Sequence, residues 1–437
     1  MLLKQDSALL WTDLKDIYNI KKRQMRIINK KVKGHADTKE RMRYLLKWII
    51  PVGLLIFAFT VYYWTTGGEH TPYNNFVRLA DAFLNKRLYL LEDVSWLELT
   101  PIEEKHYVVP PPLPAILILP AVALFGTDFN QTLASVLFGS INVVLAYFIS
   151  FKLTNRRTTA ILLSMLFGFG TIHWWATVYG GVWTFSQITA ILFLFLAVYE
   201  TLTLKRPLII GLLLGAAYWS RLPTILSLPF FLVMLRNKWY KRNEKTSILK
   251  RIRLQPIALL FAGLIFFVLL NFAYNYARFH TIFDVSYSLR KNISTEPWFQ
   301  QGLVNLAYIP RHLEVVFKTL PEVIDTFPYL KPRMFGLAIW FTTPAFVYSL
   351  MGLRKRQLFI AGWLAVLCIA LLNFCHGSTG AYQFGYRFAL DFYPFLFLLT
   401  ANGIGKSPKW HAKLLILLSV IINIWGMISI YYMQIVQ

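Results

Sequence analysis

The sequence has few cysteines, few acidic residues and a low total content of charged residues. Of 437 residues only two are cysteines, Cys368 and Cys375, and both fall in or beside one apolar stretch, which excludes a disulfide framework. Charged residues make up 15% of the chain, well below the roughly one quarter typical of soluble domains. Because hydrophobic residues reach 56%, the composition excludes a soluble enzyme and indicates a protein that folds in lipid.

Sequence motifs for several kinds of chemistry are missing as well. The chain has neither the His, Cys and carboxylate spacing of a metal site nor a glycine-rich nucleotide-binding loop. It also lacks a nucleophile elbow. Nucleotide-dependent transfer and metal-dependent hydrolysis are therefore disfavoured, and we expect neither a metal nor another cofactor.

Long apolar runs recur along the chain. In a hydrocarbon core of roughly 30 Å each such run must satisfy its own backbone polar groups, so each is predicted to be a helix. The pattern predicts an all-α polytopic membrane protein with about eleven transmembrane helices. The predicted spans lie near residues 48–63, 131–151, 159–178, 183–203, 208–220, 223–235, 256–276, 335–353, 358–374, 388–404 and 414–434.

The formal net charge of +24 is distributed unevenly. Of the 45 Lys and Arg residues, 32 lie in clusters that alternate with poorly basic loops, and the segment 1–47 alone holds 13 of them. The positive-inside rule then predicts a cytoplasmic N-terminal segment, 1–47, followed by one transmembrane domain, 48–437. Its large extracytoplasmic loops are 67–130 and 278–334. We expect a multi-pass protein of the plasma (inner) membrane that contacts lipid and binds no nucleic acid.

The first extracytoplasmic loop contains two apolar segments. Residues 76–84 show the spacing of an amphipathic helix. The stretch 115–125 is bounded by prolines and too short for a span, and counting it as one would put the next basic cluster outside. It is therefore predicted to be a re-entrant or juxtamembrane helix.

The same loop carries the first charged constellation. Glu69 and His70 directly follow the first predicted span, and Arg78 and Asp81 come one helix later. A carboxylate at a lipid–water boundary is a reasonable general base, because burial raises its pKa while a nearby cation opposes the shift. The alternative is that these residues are solvated loop charges.

A second constellation combines residues that are distant in sequence. Arg387 and Asp391 have the i,i+4 spacing of an intrahelical ion pair, and Asp391 could also orient Arg387 to hold a phosphate. Arg221 lies at a proline-broken helix junction without a nearby acid, which predicts a bound anion. Tyr386 is a candidate supporting residue, and Arg278 is a further candidate phosphate ligand.

Parts of the chain resemble the opening of GT-C type membrane glycosyltransferases, a superfamily that includes the protein O-mannosyltransferases and the aminoarabinose transferases. The similarity covers roughly residues 67–221, and two later pieces are similar to uncharacterised bacterial members. The motifs that carry it are Glu69 with Leu79-Ala80-Asp81-Ala82-Phe83-Leu84, Tyr107-Val108-Val109-Pro110-Pro111-Pro112-Leu113-Pro114, Leu124-Phe125-Gly126, Tyr274-Asn275-Tyr276-Ala277-Arg278-Phe279 and Gly385-Tyr386-Arg387.

The resemblance implies a polyprenyl-phosphate-linked sugar donor, an extracytoplasmic acceptor and an inverting transfer that uses a carboxylate of the first loop. Those relatives carry an adjacent Asp-Glu pair at the loop start, whereas this chain reads Glu69-His70, so the base is either Glu69 or Asp81. Arg78, Arg221 and Arg387 would stabilise the departing phosphate. A transporter or lipid flippase, or a non-catalytic membrane scaffold, remains the alternative.

The charge pattern makes a testable prediction about topology. A cysteine introduced between residues 236 and 254 should be shielded from a membrane-impermeant thiol reagent in intact cells, because this basic stretch is predicted to be cytoplasmic. A cysteine introduced near Thr100 or Glu322 should react, and all three should react after the membrane is permeabilised. Reversed labelling in intact cells would contradict the extracytoplasmic site.

Overall fold

The computed structural model describes residues 48–240, 252–290, 293–327, 329–352 and 355–432. The chain forms two units, Met1–Leu54 and Leu55–Gln437, and nearly all of the described helices belong to the second. The predicted basic segment 1–47 lies outside the described residues. So do residues 241–251, which hold much of another basic cluster.

Helices dominate the described residues, which confirms the predicted all-α polytopic class in its coarse form. In chain order they are α1 (Trp48–Thr66), α2 (Asn75–Leu84), α3 (Leu113–Phe125), α4 (Gln131–Thr154), α5 (Arg157–Phe169), α6 (His173–Tyr179), α7 (Val182–Leu202), α8 (Pro207–Ser220), α9 (Leu228–Met234), α10 (Arg236–Trp239), α11 (Leu254–Phe279), α12 (Ile309–Phe317), α13 (Ile339–Thr342), α14 (Arg356–Phe374), α15 (Tyr393–Ile404) and α16 (Trp410–Met427).

Among the described residues, six helices are long and apolar enough to cross a membrane. They are α1, α4, α7, α11, α14 and α16, the last with its continuation to Tyr431. The pair α5 and α6, bent by 53° at a short break, gives a seventh if it is counted as one span. The predicted count of about eleven is not confirmed.

The other predicted spans are shorter than expected. The apolar helices Pro207–Ser220, Leu222–Met234 and Tyr393–Ile404 have 10–17 residues each, as does Leu113–Asp128. At 1.5 Å per residue such helices reach about 15–26 Å, less than the roughly 30 Å of a hydrocarbon core. The predicted span 335–353 contains only α13 and a 3₁₀ segment, Pro344–Met351, within its described part.

The two large loops also contain short strands, which the sequence did not predict. In the first loop β1 (Thr100–Ile102) pairs antiparallel with β2 (Lys105–Tyr107). In the second loop β3 (Glu322–Val323) pairs with β4 (Leu330–Lys331) in the same sense. In each hairpin, hydrogen bonds between the paired strands satisfy backbone groups that are not part of a helix.

The amphipathic helix predicted in the first loop is confirmed as α2. Its apolar side, which includes Phe76, Leu79 and Ala80, is buried against α3 and the start of α7. The predicted juxtamembrane segment is α3, an apolar helix with Pro120 in its interior. Together α2 and α3 form a second, smaller core beside the main helical core.

Loops that the charge pattern assigns to the extracytoplasmic side contact one another. The Thr100 hydroxyl donates to the Ser286 carbonyl oxygen at 2.6 Å, which joins the first loop to the second. The backbone N–H of Asn305 donates to the Cys375 carbonyl oxygen at 2.8 Å, which joins the second loop to the segment after α14. These loops therefore form one continuous end of the helical unit.

Segments assigned to the cytoplasmic side meet in the same way. Arg156 donates to the Ser407 hydroxyl at 2.7 Å, and the Thr159 hydroxyl donates to the Lys406 carbonyl oxygen at 2.8 Å. The contacts thus sort the loops into the two groups that the charge pattern predicts. Which group faces the cytoplasm stays a prediction.

Helices α8 and α11 approach each other unusually closely through two glycines. A Cβ added at Gly211 would lie 2.0 Å from the Leu260 carbonyl oxygen, and one at Gly263 would lie 2.5 Å from that of Leu208. Small residues at such crossings let two backbones pack in direct contact, which is a common way to join helices in lipid. This contact fixes the position of α8 and hence of Arg221 at its end.

The glycine contact makes Gly263→Ala a test of the α8–α11 packing. The added methyl group forces the two backbones apart, so the variant should lose roughly 1–3 kcal/mol of stability. Thermal unfolding of the purified protein in detergent measures the loss. Gly53→Ala is the control, because a Cβ there has no heavy atom within 4 Å. Equal unfolding temperatures for the two variants would contradict the packing.

Candidate functional site

A buried carboxylate lies where four helices end, near the loops that the charge pattern assigns to the extracytoplasmic side. The Asp391 side chain is 0% exposed and forms an ion pair with Arg221 at 3.1 Å. Asp391 also accepts hydrogen bonds from the amide of Gln187 at 3.3 Å and from the amide of Asn373 at 3.0 Å. Three side chains from α7, α8 and α14 therefore converge on one acid that precedes α15.

Arg221 is positioned by the break after α8. It caps α8 in an extended conformation, and a 3₁₀ segment with Pro223 near its start follows. The sequence interpretation left Arg221 without an acid and invoked a bound anion instead. The premise that Arg221 lacks an acid is wrong, because Asp391 pairs with it from 170 residues along the chain, while the bound anion stays a prediction.

The predicted pair of Arg387 with Asp391 is absent from the part of the chain that the structure describes. The reason is local geometry: Arg387–Asp391 forms a 3₁₀ segment rather than an α-helix. In a 3₁₀ helix there are three residues per turn, so residues i and i+4 do not share a face. Arg387 and Asp391 consequently point in different directions.

Arg387 lies in an aromatic environment and is only partly buried. Its guanidinium carbon is 5.4 Å from the ring centroid of Trp183 and equally far from that of Phe388. Among the described residues it forms no ion pair, and its buried Nε makes no hydrogen bond. Burial lowers the pKa of Arg387, the nearby Glu98 carboxylate opposes this shift, and the charge of Arg221 adds to it.

The structure brings Arg221 and Arg387 together, as their chemistry suggested. The Arg221 guanidinium carbon is also 5.4 Å from the Phe388 ring centroid, so both cations lie against one aromatic ring. Gln187 links them further, since its amide donates to the Arg387 carbonyl oxygen at 3.0 Å as well as to Asp391. Arg221 has an ion-pair partner, whereas Arg387 has none among the described residues.

Glu98 of the first loop approaches this centre, and the sequence analysis did not single it out. Its carboxylate accepts from the indole N–H of Trp183 at 3.2 Å and pairs with Arg290 of the second loop at 3.1 Å. Arg290 also pairs with Glu296. Glu98 has a left-handed conformation with φ of 50° and stays 41% exposed. Nothing in its sequence context marks it, because the contact is with residues far along the chain.

Tyr386 holds the loop after α14 in place through His312. His312 donates from Nε2 to the His376 carbonyl oxygen at 2.7 Å. Burial lowers the pKa of His312 to about 4, so its ring is neutral and Nδ1 accepts from the Tyr386 hydroxyl at 2.7 Å. Tyr386 therefore supports the loop structurally, and its role at a donor site stays a prediction.

The first charged constellation forms a separate surface cleft of about 860 Å³. His70, Arg78 and Asp81 line it, while Glu69 does not and is exposed elsewhere on the loop. Arg78 donates to the Asn74 side chain at 2.9 Å and lies at 4.0 Å from Glu92. The remaining lining residues are Asn74, Ala82, Arg87, Leu90, Leu91, Glu92, Thr127 and Asp128.

Arg278 belongs to neither site. It is buried at the end of α11, where it donates to the Val108 carbonyl oxygen at 3.0 Å and to the Asn275 side chain at 2.8 Å. Its guanidinium carbon also lies 3.9 Å from the Tyr274 ring centroid. Arg278 therefore ties α11 to the first loop, its buried Nε makes no hydrogen bond to a described residue, and its role as a phosphate ligand stays a prediction.

Comparison with protein-family models gives no match for this chain. Comparison with curated proteins finds no significantly similar sequence. The described residues contain no group of three or more His, Cys, Asp or Glu residues arranged to hold a metal ion. Function therefore has to be inferred from the residues and their arrangement.

The different pairing of the two arginines predicts opposite effects on stability. Arg221→Gln leaves the buried Asp391 carboxylate without its cation and should cost about 3 kcal/mol, as for other broken buried pairs. Arg387→Gln removes an unpaired cation and should leave stability unchanged or raise it. Thermal unfolding in detergent distinguishes the two.

The double variant Arg221→Gln/Asp391→Asn provides the control. It removes both charges together, so it should recover most of the stability that Arg221→Gln loses. An Arg387→Gln variant as unstable as Arg221→Gln, or a double variant without recovery, would contradict the assigned pairing.

Proposed function

We propose that this chain is a membrane glycosyltransferase that moves a sugar from a polyprenyl-phosphate-linked donor to an extracytoplasmic acceptor. The acceptor is a glycan, a lipid or a protein, and the transfer is inverting and metal-independent. The observation that carries the proposal is Arg387, which forms no ion pair with a described residue and lies against Trp183 and Phe388 where the loops meet. A charge in such surroundings is costly unless an anion or water meets it.

Arg387 is the principal ligand for the donor phosphate in this proposal. Its guanidinium offers several donors in a plane that matches two phosphate oxygens. Arg221 lies against the same Phe388 ring, but Asp391 already neutralises its charge. Arg221 therefore acts mainly by fixing the helix ends, whereas Arg387 binds the anion.

The reaction needs a base for the acceptor hydroxyl. A carboxylate takes that proton, the hydroxyl oxygen attacks the anomeric carbon, and the bond between this carbon and the phosphate oxygen breaks. The lipid phosphate leaves with the electron pair and is stabilised by Arg387. The proton, the new bond and the leaving group are all accounted for without a metal or a nucleotide.

Three first-loop carboxylates are candidates for the base, and geometry favours Glu98. It bonds to Trp183, the ring against which Arg387 lies, so base and phosphate ligand share one neighbour. Asp81 lines the separate cleft, and Glu69 is exposed. The cleft with Arg78 and Asp81 is better suited to the polar surface of the acceptor than to the donor phosphate.

The membrane arrangement is part of the proposal. We infer eleven crossings in the inner membrane with a cytoplasmic N-terminus, so that the extracytoplasmic loops carry the active site. The shorter apolar helices would complete the crossings at positions where they are surrounded by other helices rather than by lipid. This is where non-helical backbone is tolerated at membrane depth.

A transporter or lipid flippase is the second candidate. The break between α8 and the following 3₁₀ segment places a charged pair beside interrupted helices, which is also a feature of transport sites. A flippase would move the lipid-linked sugar intact. A transferase would separate the sugar from its lipid.

The experiment is a membrane assay with radiolabelled polyprenyl-phosphate sugars that scores label leaving the lipid. Glu98→Gln should lower turnover by roughly 10²–10⁴-fold, the contribution of a positioned general base. Glu69→Gln and Asp81→Asn should have smaller effects, and Arg387→Gln should weaken donor use more than Arg387→Lys.

Glu104→Gln is the matched control, because Glu104 is an exposed carboxylate of the same loop in the turn of the β1–β2 hairpin. It should retain full turnover. Full activity of Glu98→Gln would remove Glu98 as the base, and label that crosses the membrane still attached to lipid would favour the flippase.

A further inference from the structure

His376 lies beside the two arginines and has no role in the proposed sugar transfer. It follows α14 in the loop that Tyr386 and His312 hold in place. Its ring centroid is 5.4 Å from that of Phe388, the ring that both guanidinium groups contact. His376 is therefore a neighbour of the cationic centre on a third side.

The two ring nitrogens of His376 differ in their surroundings. Nδ1 lies 3.0 Å from the Ser378 carbonyl oxygen and 3.2 Å from the Ser378 backbone nitrogen. Nε2 makes no hydrogen bond to any residue that the structure describes, and the side chain is only partly buried. One nitrogen is thus fixed to the loop, and the other has no hydrogen-bond partner among the described residues.

We propose that His376 is a ligand of the anion bound at Arg387, and that it binds a phosphate dianion as an imidazolium by taking up a proton. In that state Nδ1–H donates to the Ser378 carbonyl oxygen and Nε2–H donates to a phosphate oxygen. Both nitrogens are then used, which the neutral ring cannot achieve because it has one N–H.

The charges around His376 determine the direction of this coupling. Burial, opposed by the hydrogen bond to the Ser378 carbonyl oxygen and assisted by Arg221, His312 and Arg387, lowers the pKa of His376 to about 4. Tyr287, the remaining titratable side chain against the ring, is neutral at physiological pH because burial raises its pKa. A bound dianion offsets the arginine charges and favours the imidazolium.

Protonation of His376 would affect whether the sugar donor or the departing lipid phosphate is bound more tightly. A sugar donor is a phosphate diester with one negative charge, whereas the departing lipid phosphate is a monoester with up to two. Protonation of His376 therefore favours the charge that develops as the sugar leaves. This inference rests on the proposed function only in taking Arg387 as the phosphate ligand.

Sulfate is the probe that isolates the effect, because it remains a dianion near neutral pH and brings no titrating group of its own. Calorimetric titration of the full chain in detergent, repeated in buffers of different ionisation enthalpy, counts the protons taken up. We expect uptake that rises toward roughly one proton per bound sulfate as pH falls from 8 to 6, with affinity rising in parallel.

His376→Asn is the informative variant, since its amide can replace Nδ1 in the bonds to Ser378 but has nothing in place of Nε2. It should bind sulfate about 10-fold more weakly at pH 6, the usual effect of losing a charge-assisted hydrogen bond, and without proton uptake. His280→Asn is the matched control, because His280 is exposed at the end of α11. It should behave like the wild type.

Each result decides the inference independently of sugar transfer. Sulfate binding without proton uptake in the wild type, or unchanged uptake in His376→Asn, would overturn the role of His376 while leaving the glycosyltransferase proposal intact. Absence of sulfate binding to the wild type would overturn it too. Proton-coupled binding that depends on His376 would support it even if no sugar transfer were found.

Discussion

The buried ion pair between Arg221 and Asp391 is the interaction on which the rest of the centre depends. A carboxylate with 0% exposure must be neutralised and hydrogen-bonded, and here three side chains from three helices meet that need. Such a pair contributes little net stability compared with a well-packed apolar core. Its effect is to fix the relative positions of α7, α8 and α14, because their ends must be correctly placed before the Asp391 carboxylate has all its hydrogen-bond partners.

Local features of the sequence predicted local structure well. The spacing of apolar residues located α2, and the long apolar runs located α4, α7, α11 and α14, because periodicity and length are properties of a segment by itself. The alternation of basic clusters also sorted the loops into the two groups that meet in the structure. It could not fix the number of crossings, since proline breaks such as the one after Thr343 shorten helices that hydropathy alone counts as continuous.

The partners of the charged residues could not be predicted in the same way. Arg221 and Asp391 are 170 residues apart, and a single sequence contains no information on which distant acid meets which cation. Proximity in sequence favoured Arg387 for Asp391 and suggested Glu69 or Asp81 for the first loop. Glu98 could not be found because its contacts with Trp183 and Arg290 come from two other segments.

The short 3₁₀ segment before α15 has a consequence for the charge of the whole centre. Pro394 has no N–H to offer the Leu390 carbonyl oxygen, so an α-helical hydrogen-bond ladder cannot run back through this point. Were residues 387–391 α-helical, Arg387 would face Asp391, two opposite charges would cancel, and Arg221 would become the unpaired cation instead. An uncharged residue thus selects which of two arginines is available to an anion, and a substitution that relaxed this turn would move the positive site without altering any charged side chain.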